Sequence, residues 1–256
     1  MLKKVRIILL NNILINNILI LIKKDFLIKK WKNNWIEIEY NHAKKEEENH
    51  MGCSQNSTIQ QFVKETNNTI KKSIDKYFYD SKSVLDIGCG TGAYLINFSE
   101  QASLTGIDLN ESFLREAKKN IPSLKTIYGN FLKVKLENKY DLIVAIGVLM
   151  YIEPSSITNF FEKLSISLNV GGKIFFQYSH ALSLKDIFYN DLSYVRYSPA
   201  YLEEVMEPFF SVLEHKHFFD DRTVNKFDTI KYFFPNNKKN RIDTIQNTYL
   251  LIAQKK

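Results

Sequence analysis

The residues of this chain best suited to chemistry stand together at 84–92, Val84-Leu85-Asp86-Ile87-Gly88-Cys89-Gly90-Thr91-Gly92, where an apolar strand carrying a carboxylate runs into three glycines spaced by two. A side chain at those glycines would hold a ligand off the backbone; without Cβ the chain turns sharply and a small molecule can touch the main chain. Downstream, Ser103-Leu104-Thr105-Gly106-Ile107-Asp108 reads as a second short strand that also ends in a carboxylate, and Glu111 to Asn120 (ESFLREAKKN) has the spacing of an amphipathic helix. Asp108 then falls at the carboxyl edge of a strand beside the first, where open α/β sheets bind ligands. A carboxylate there can accept from both hydroxyls of a ribose, each charge-assisted bond being worth about 1.5–3 kcal/mol. Its alternative duty is an N-cap for the following helix, which either Asn110 or Asp108 could serve.

Spacing separates two ligand classes. A dinucleotide loop needs G-x-G-x-x-G, its third glycine packing helix on strand, with an acid about 20 residues on. Here Gly92 comes one position early, Ala93 takes the later place, and Asp86 precedes Gly88 by two. The resulting D-x-G-x-G-x-G resembles the first motif of the class I S-adenosylmethionine-dependent methyltransferases. That resemblance implies S-adenosyl-L-methionine as cofactor, held by Asp86, Gly88, Gly90 and Gly92, with Asp108 on the ribose and Leu109 beside it.

Later segments resemble the same family in the same order. Lys125-Thr126-Ile127-Tyr128-Gly129-Asn130-Phe131 reads as a third strand ending like the family's Gly-Asp-x segment, whose acid accepts from the adenine amine while its neighbour packs on the ring. The chain carries Asn130 instead, whose amide oxygen can still accept, followed by Phe131. Tyr140 to Leu149 is an apolar run typical of a central parallel strand buried on both faces, and the resemblance places the Gly147 carbonyl against the methionyl amino group. Asn169-Val170-Gly171-Gly172 resembles the family's turn into a fifth strand, with Val170 in place of a pre-organising proline.

The elements that must position these residues follow. Ser198-Pro199 leads a helix over Ala200 to Phe209, Phe210 to Phe218 reads as a sixth strand, and Thr248 to Ala253 as a seventh. Strand, helix, strand in repetition predicts an α/β fold: a Rossmann-like, doubly wound, seven-stranded and mostly parallel sheet with helices on both faces. The resemblance spans about residues 58–254, and the expected domain runs 51–256. With 45% apolar residues, among them 18 Phe and 14 Tyr, composition supports one sizeable core. The two cysteines give neither a disulfide framework nor metal-ligand spacing, and no metal is expected. Cys89 reads as a small residue between glycines, and both cysteines suit a reducing, cytoplasmic compartment.

The net charge of +7 invites a nucleic-acid partner, but its location argues against one. Residues 1–36 hold eight of the 35 Lys and Arg and one of the 28 Asp and Glu, so the remainder is formally neutral. Lys238, Lys239 and Arg241 read as a solvated loop. The basic Asn/Ile/Lys-rich leader, residues 1–50, contains a 16-residue apolar run, Ile7 to Ile22. That run is short of the roughly 20 residues of a bilayer span and is broken by four asparagines that share no helical face. Two readings stand side by side: weak membrane association through residues 1–36, or translation beginning at Met51.

For the transferred methyl, the acceptor's proton needs a base, and His180, just past the fifth strand, is the candidate, its unperturbed pKa near 6.5 suiting the task. Tyr151 and Glu153, after the fourth strand, stand second. Leu149 to Pro154 is unlike the Asp/Asn-Pro-Pro-aromatic segment that stacks an extruded base in amino-methylating DNA enzymes. Phe188, Tyr189, Tyr194 and Tyr197 are placed to form an aromatic lid. The expected activity is methyl transfer to an oxygen, nitrogen or carbon of a small-molecule acceptor. The alternatives are an RNA- or protein-modifying methyltransferase, or a cofactor-binding module without turnover.

Overall fold

The computed structural model describes residues 57–98, 102–152, 155–179, 197, 199–218 and 248–256. Residues 1–56, with the leader and Cys53, lie outside the described residues, as do His180, Glu153, the 181–196 segment and the 219–247 insertion with its basic cluster.

The chain opens with helix α1 (Ser57–Ser73), which continues as one wider π turn through Ile74–Phe78. Thr66, Ile70, Ser73, Ile74 and Phe78 recur at intervals of about four and are buried, so this stripe faces the sheet. Strand β1 (Ser83–Ile87), a short 3-10 turn (Leu95–Phe98) and β2 (Ser103–Asp108) follow, then α2 (Glu111–Asn120) and β3 (Lys125–Tyr128). Next come β4 (Tyr140–Ile146), a 3-10 turn (Leu149–Tyr151), α3 (Ile157–Ser167), β5 (Leu168–Ser179), α4 (Pro199–Met206), β6 (Phe210–His217) and β7 (Thr248–Lys255).

All seven strands form one sheet in the order β3-β2-β1-β4-β5-β7-β6. Neighbours from β3 to β5 pair in parallel, whereas β7 runs antiparallel to both β5 and β6. The sheet is therefore mostly parallel, as expected, with one reversed strand set inside it. Residues alternate between two cores. Val84, Leu142, Val144 and Ile146 meet α1 and α2 through Ile70, Leu114 and Ala117 on one face. Leu85, Ile143, Ala145 and Phe176 meet α3 and α4 through Phe160, Phe161, Leu202 and Met206 on the other. Strand order reverses between β1 and β4, and the crevice outside their carboxyl ends is where such sheets hold ligands.

Several boundaries differ from the sequence reading. The third strand stops at Tyr128 and the fourth at Ile146, because Gly129 (φ +140°) and Gly147 (φ +71°) leave the extended region. Residues 169–172 are not a turn ahead of the fifth strand but an irregularity within it: the β4–β5 register shifts between Tyr140 and Leu142, and Gly171 adopts φ +73°. Of the proposed aromatic lid, Tyr197 is a core residue. It is buried, stacks on Tyr201 with centroids 5.9 Å apart, and donates its hydroxyl hydrogen to the Ile152 carbonyl at 2.5 Å. The lid residues Phe188, Tyr189 and Tyr194 lie outside the described residues.

Candidate functional site

The glycine loop leaves β1 with positive φ at Gly88 (+69°), Gly90 (+52°) and Gly92 (+80°), backbone that L side chains rarely adopt. Four of its amides are spent inside the protein. Gly88 N and Cys89 N both donate to the Ile107 carbonyl, at 2.8 and 3.0 Å, and Gly92 N donates to the Cys89 carbonyl at 2.9 Å. Gly90 N donates to Asp108 Oδ2 at 2.8 Å.

A diphosphate-binding loop keeps such N–H groups for its anion and opens a helix behind them. This one leads only to the 3-10 turn at Leu95–Phe98 and is flanked by the carboxyl groups of Asp86 and Asp108. Those features disfavour a pyrophosphate and favour a ligand carrying positive charge.

The loop also departs from the sequence reading in what its missing Cβ atoms make room for. A Cβ on Gly88 would lie 2.7 Å from Val148 Cγ2, and one on Gly92 would lie 3.2 Å from Ile121 Cδ1. Two of the three glycines thus admit the protein's own side chains. Val148 follows β4, so its methyl locks the β4 loop against the β1 loop. On the neighbouring strand, a Cβ on Gly106 would lie 2.6 Å from Cys89 Sγ. Cys89 is buried, and desolvation, followed by the charges of Asp86 and Asp108, pushes its thiol well up, so it fills space rather than reacts.

Asp108 ends β2 with its carboxylate turned toward the loop. Oδ2 takes the Gly90 amide, and Oδ1 accepts from Asn110 N at 2.9 Å. The helix cap falls to Asn110, whose Oδ1 accepts from Ser112 N and Phe113 N at 2.8 and 3.2 Å. Asp108 is thereby spared from capping and remains partly exposed at the crevice, with Leu109 beside it 42% exposed.

Asp86 faces the α1 side of the sheet at the end of β1. It is 1% exposed, and its Oδ2 has no hydrogen-bond partner. Desolvation, and then the nearby Asp108 charge, hold its carboxyl well above the usual carboxylate range. An orphaned buried acid costs stability unless a partner arrives. An ammonium or sulfonium is the chemical complement it lacks, so the donor set fits a cationic nucleoside such as S-adenosylmethionine.

Three buried polar residues were missed by the sequence reading: Gln177, Thr66 and Tyr94. Gln177, near the end of β5, donates from Nε2 to Thr66 Oγ1 of α1 at 3.1 Å, with both residues buried. Its backbone carbonyl accepts from Gly147 N at 2.9 Å, fixing the turn after β4. Tyr94, just past the loop, is buried. Burial, followed by the Asp86 charge, raises its phenol, and a hydrogen bond with the Thr66 side chain works the other way. The available signal was a single polar residue, Gln177, interrupting the apolar Ile174-Phe175-Phe176 run.

The adenine side is corrected in one respect. Asn130 is partly exposed, and its Oδ1 accepts from Leu132 N at 2.8 Å. Phe131, expected to pack on the purine, is 4% exposed, with its ring edge-on to Phe160 at 5.6 Å and Lys163 Nζ over its face at 5.2 Å. It serves the core, because its direction from the chain reversal at Gly129 carries it under α3.

On the acceptor side, Tyr151 is half-buried in the 3-10 turn, where its amide donates to the Val148 carbonyl at 2.9 Å. Tyr178 donates its hydroxyl hydrogen to His215 Nε2 at 2.6 Å, and His215 Nδ1 donates to Glu203 Oε1 at 2.5 Å. Since a carboxylate only accepts, this chain of bonds assigns the imidazole proton to Nδ1.

Comparison with known proteins agrees with this geometry. Residues 84–172 match the family model described as "Methyltransferase domain". The malonyl-[acyl-carrier protein] O-methyltransferase of Priestia megaterium is 26% identical over 132 residues, which are 44% of this chain and 47% of that protein. The chain spans about half the length of the curated relatives it matches. Among solved structures, the N-methyltransferase NodS of Bradyrhizobium japonicum with bound S-adenosyl-L-homocysteine superposes with TM-score 0.61 at 14% identity, covering 85% of this chain and 98% of NodS. Magnesium protoporphyrin IX methyltransferase of Synechocystis gives 0.56 at 13% identity, covering 91% and 100%. At these identities the two structures speak for the fold.

Proposed function

We propose, from the premise that the chain carries a class I S-adenosylmethionine-dependent methyltransferase domain, that it transfers the donor's methyl to an oxygen, nitrogen or carbon of a small-molecule acceptor. The observation that carries the reading is the buried Asp86 carboxyl, its Oδ2 without a partner, beside a glycine loop whose three glycine amides are already satisfied. That arrangement asks for a cation and offers little to a phosphate.

When bound, S-adenosylmethionine supplies a methyl already activated by its sulfonium, so the chain's own residues need only bind, orient and manage one proton. In this reading Asp86 and the Gly147 carbonyl receive the methionyl ammonium, Asp108 the ribose hydroxyls, Leu109 the purine face, and Asn130 the adenine amine. Gly88, Gly90 and Gly92 hold the loop in the conformation that lets Asp108 reach Gly90. Holding the acceptor atom in line with the methyl is the proximity contribution, up to about 7–11 kcal/mol of the barrier. His180 is the proposed base for the acceptor's proton.

A small acceptor is favoured by the formally neutral sequence after residue 36. The domain is proposed to run from 51 to 256, in a cytoplasmic setting. Among the described residues no helix is long and apolar enough to cross a membrane.

The test is to incubate the purified full chain with S-adenosylmethionine labelled in the methyl group and with fractionated cell extract. Label in the small-molecule pool is the expected result. Label in RNA or protein overturns the acceptor class, and tight binding with no labelled product in any fraction overturns the enzyme.

A further inference from the structure

Resting on the donor reading above, we propose that helix α1 is the gate of the donor site, swinging about the π turn at Ile74–Phe78 and held shut by two side-chain latches, Thr66 with Gln177 and Asn67 with Asn97. The need for a moving part follows from burial. Asp86 is 1% exposed and Gln177 2%, so the acid assigned to the donor's ammonium is closed to a ligand of nucleoside size. The sheet register shows which element closes it. Asp86 pairs with Val144 and Val144 with Phe175, so the three lie in one row across β1, β4 and β5 and present their side chains to one face. On that face Phe78 meets Phe175 edge-on with centroids 6.0 Å apart, and Gln177, two residues further along β5, bonds Thr66. Helix α1 therefore lies over the row that holds Asp86.

The two ends of the helix are held differently. The π turn is fixed: Phe78 is fully buried, Tyr77 donates its hydroxyl hydrogen to Glu214 Oε2 of β6 at 2.5 Å, and Lys76 Nζ reaches the same oxygen at 3.2 Å. Upstream, Gln177 Nε2 donates to Thr66 Oγ1 at 3.1 Å, and Asn97 Nδ2, in the 3-10 turn after the glycine loop, donates to Asn67 Oδ1 at 2.6 Å. Both latches join neutral groups, and such bonds are about half as strong as the charge-assisted ones to Glu214. Between the two ends the helix carries the marks of a hinge. Thr69 Oγ1 and Ser73 Oγ donate back to the carbonyls of Glu65 and Thr69, at 3.0 and 2.8 Å, a pattern that bends helices, and from Ile74 the ladder widens to the π spacing.

Rapid mixing of the full chain with S-adenosylhomocysteine, followed by intrinsic fluorescence, tests the gate. Where opening must precede binding, the observed rate levels off with rising ligand concentration at a ceiling set by the opening step. Thr66→Val and Asn67→Ala each remove one latch and should raise that ceiling about three- to tenfold, as for the loss of one neutral hydrogen bond from the shut state. A rate that climbs in proportion to ligand with no ceiling, or a ceiling that neither substitution lifts, overturns the gate while leaving the donor reading intact. Failure of the unaltered chain to bind S-adenosylhomocysteine at all overturns both together.

Discussion

The Asp108 carboxylate accepts the Gly90 amide at 2.8 Å, across 18 residues of sequence, and so ties the end of the second strand to the loop after the first. One side chain therefore shapes the loop and presents an anion at the crevice. Asp108→Ala is expected to weaken binding of S-adenosylhomocysteine by one to two orders of magnitude, the worth of about one charged hydrogen bond. Calorimetry checks it, and an unchanged affinity would remove Asp108 from the ribose.

Asp86 makes binding sensitive to pH. In the free protein its carboxyl is held well above the usual carboxylate range, first by desolvation and then by Asp108, so it keeps its proton where an ordinary carboxylate has lost it. Pairing with an ammonium requires the charged form, so binding releases a proton. By linkage, affinity should rise with pH from the usual carboxylate range up to the raised value and level off above it. Folding carries the opposite sign: the ligand-free chain loses stability as pH rises through that window. Affinities measured across pH, with Asp86→Asn abolishing the slope, are the check; a flat profile in the unaltered chain contradicts it.

Gly88 is constrained twice, by φ +69° and by Val148 Cγ2 at 2.7 Å from where a Cβ would stand. Gly88→Ala should destabilise the protein by about 1–3 kcal/mol. Adding Val148→Ala removes the collision but not the dihedral strain, so the double variant should recover only part of the loss in a denaturant titration. Full recovery would show that the dihedral carries no cost.

Much of this could be read from the residues, and what failed has physical reasons. The glycine loop, β2 and α2 were legible because their determinants are local: an apolar run, a carboxylate at its edge, an asparagine cap, and buried Phe113, Leu114 and Ala117 at helical spacing. The reversed seventh strand left no local mark, since its direction is set by pairing with β5 and β6, far away in sequence. Phe131 was misplaced because adjacency to Asn130 says nothing of which layer a ring enters. Val148 and Thr66 went unnoticed because their roles arise only where separate elements meet.

Asp141 anchors the sheet at the edge opposite the crevice. It accepts from Lys82 N, Ser83 N, Ser83 Oγ and Asn169 Nδ2 at 2.7–3.0 Å. Partial burial raises its carboxyl, but the bonds from Asn169, Ser83 and the two amides outweigh that and leave it below the usual value. Its contribution is present above the unfolded-state value and is lost as pH falls through the folded one. Asp141→Ala should lower stability by about 1–3 kcal/mol at neutral pH while leaving ligand affinity unchanged. A shift in affinity would mean that the two edges of the sheet communicate.

His180→Ala should depress turnover and leave S-adenosylhomocysteine affinity as it was, since the residue is assigned to the acceptor's proton. Steady-state rates over a range of pH test it, and full activity throughout would strike it from the mechanism.

The strand at 248–255 is encased on both flanks, by β5 and by β6, and its first six residues are buried. Vectorial synthesis therefore delivers an inner plank of the sheet after the boards on either side of it. Until those residues emerge, β6 has no neighbour to zip onto and β5 exposes a raw hydrogen-bonding margin. A nascent chain halted before 248 would be a sticky, half-shut structure calling for chaperone protection, however complete its glycine loop.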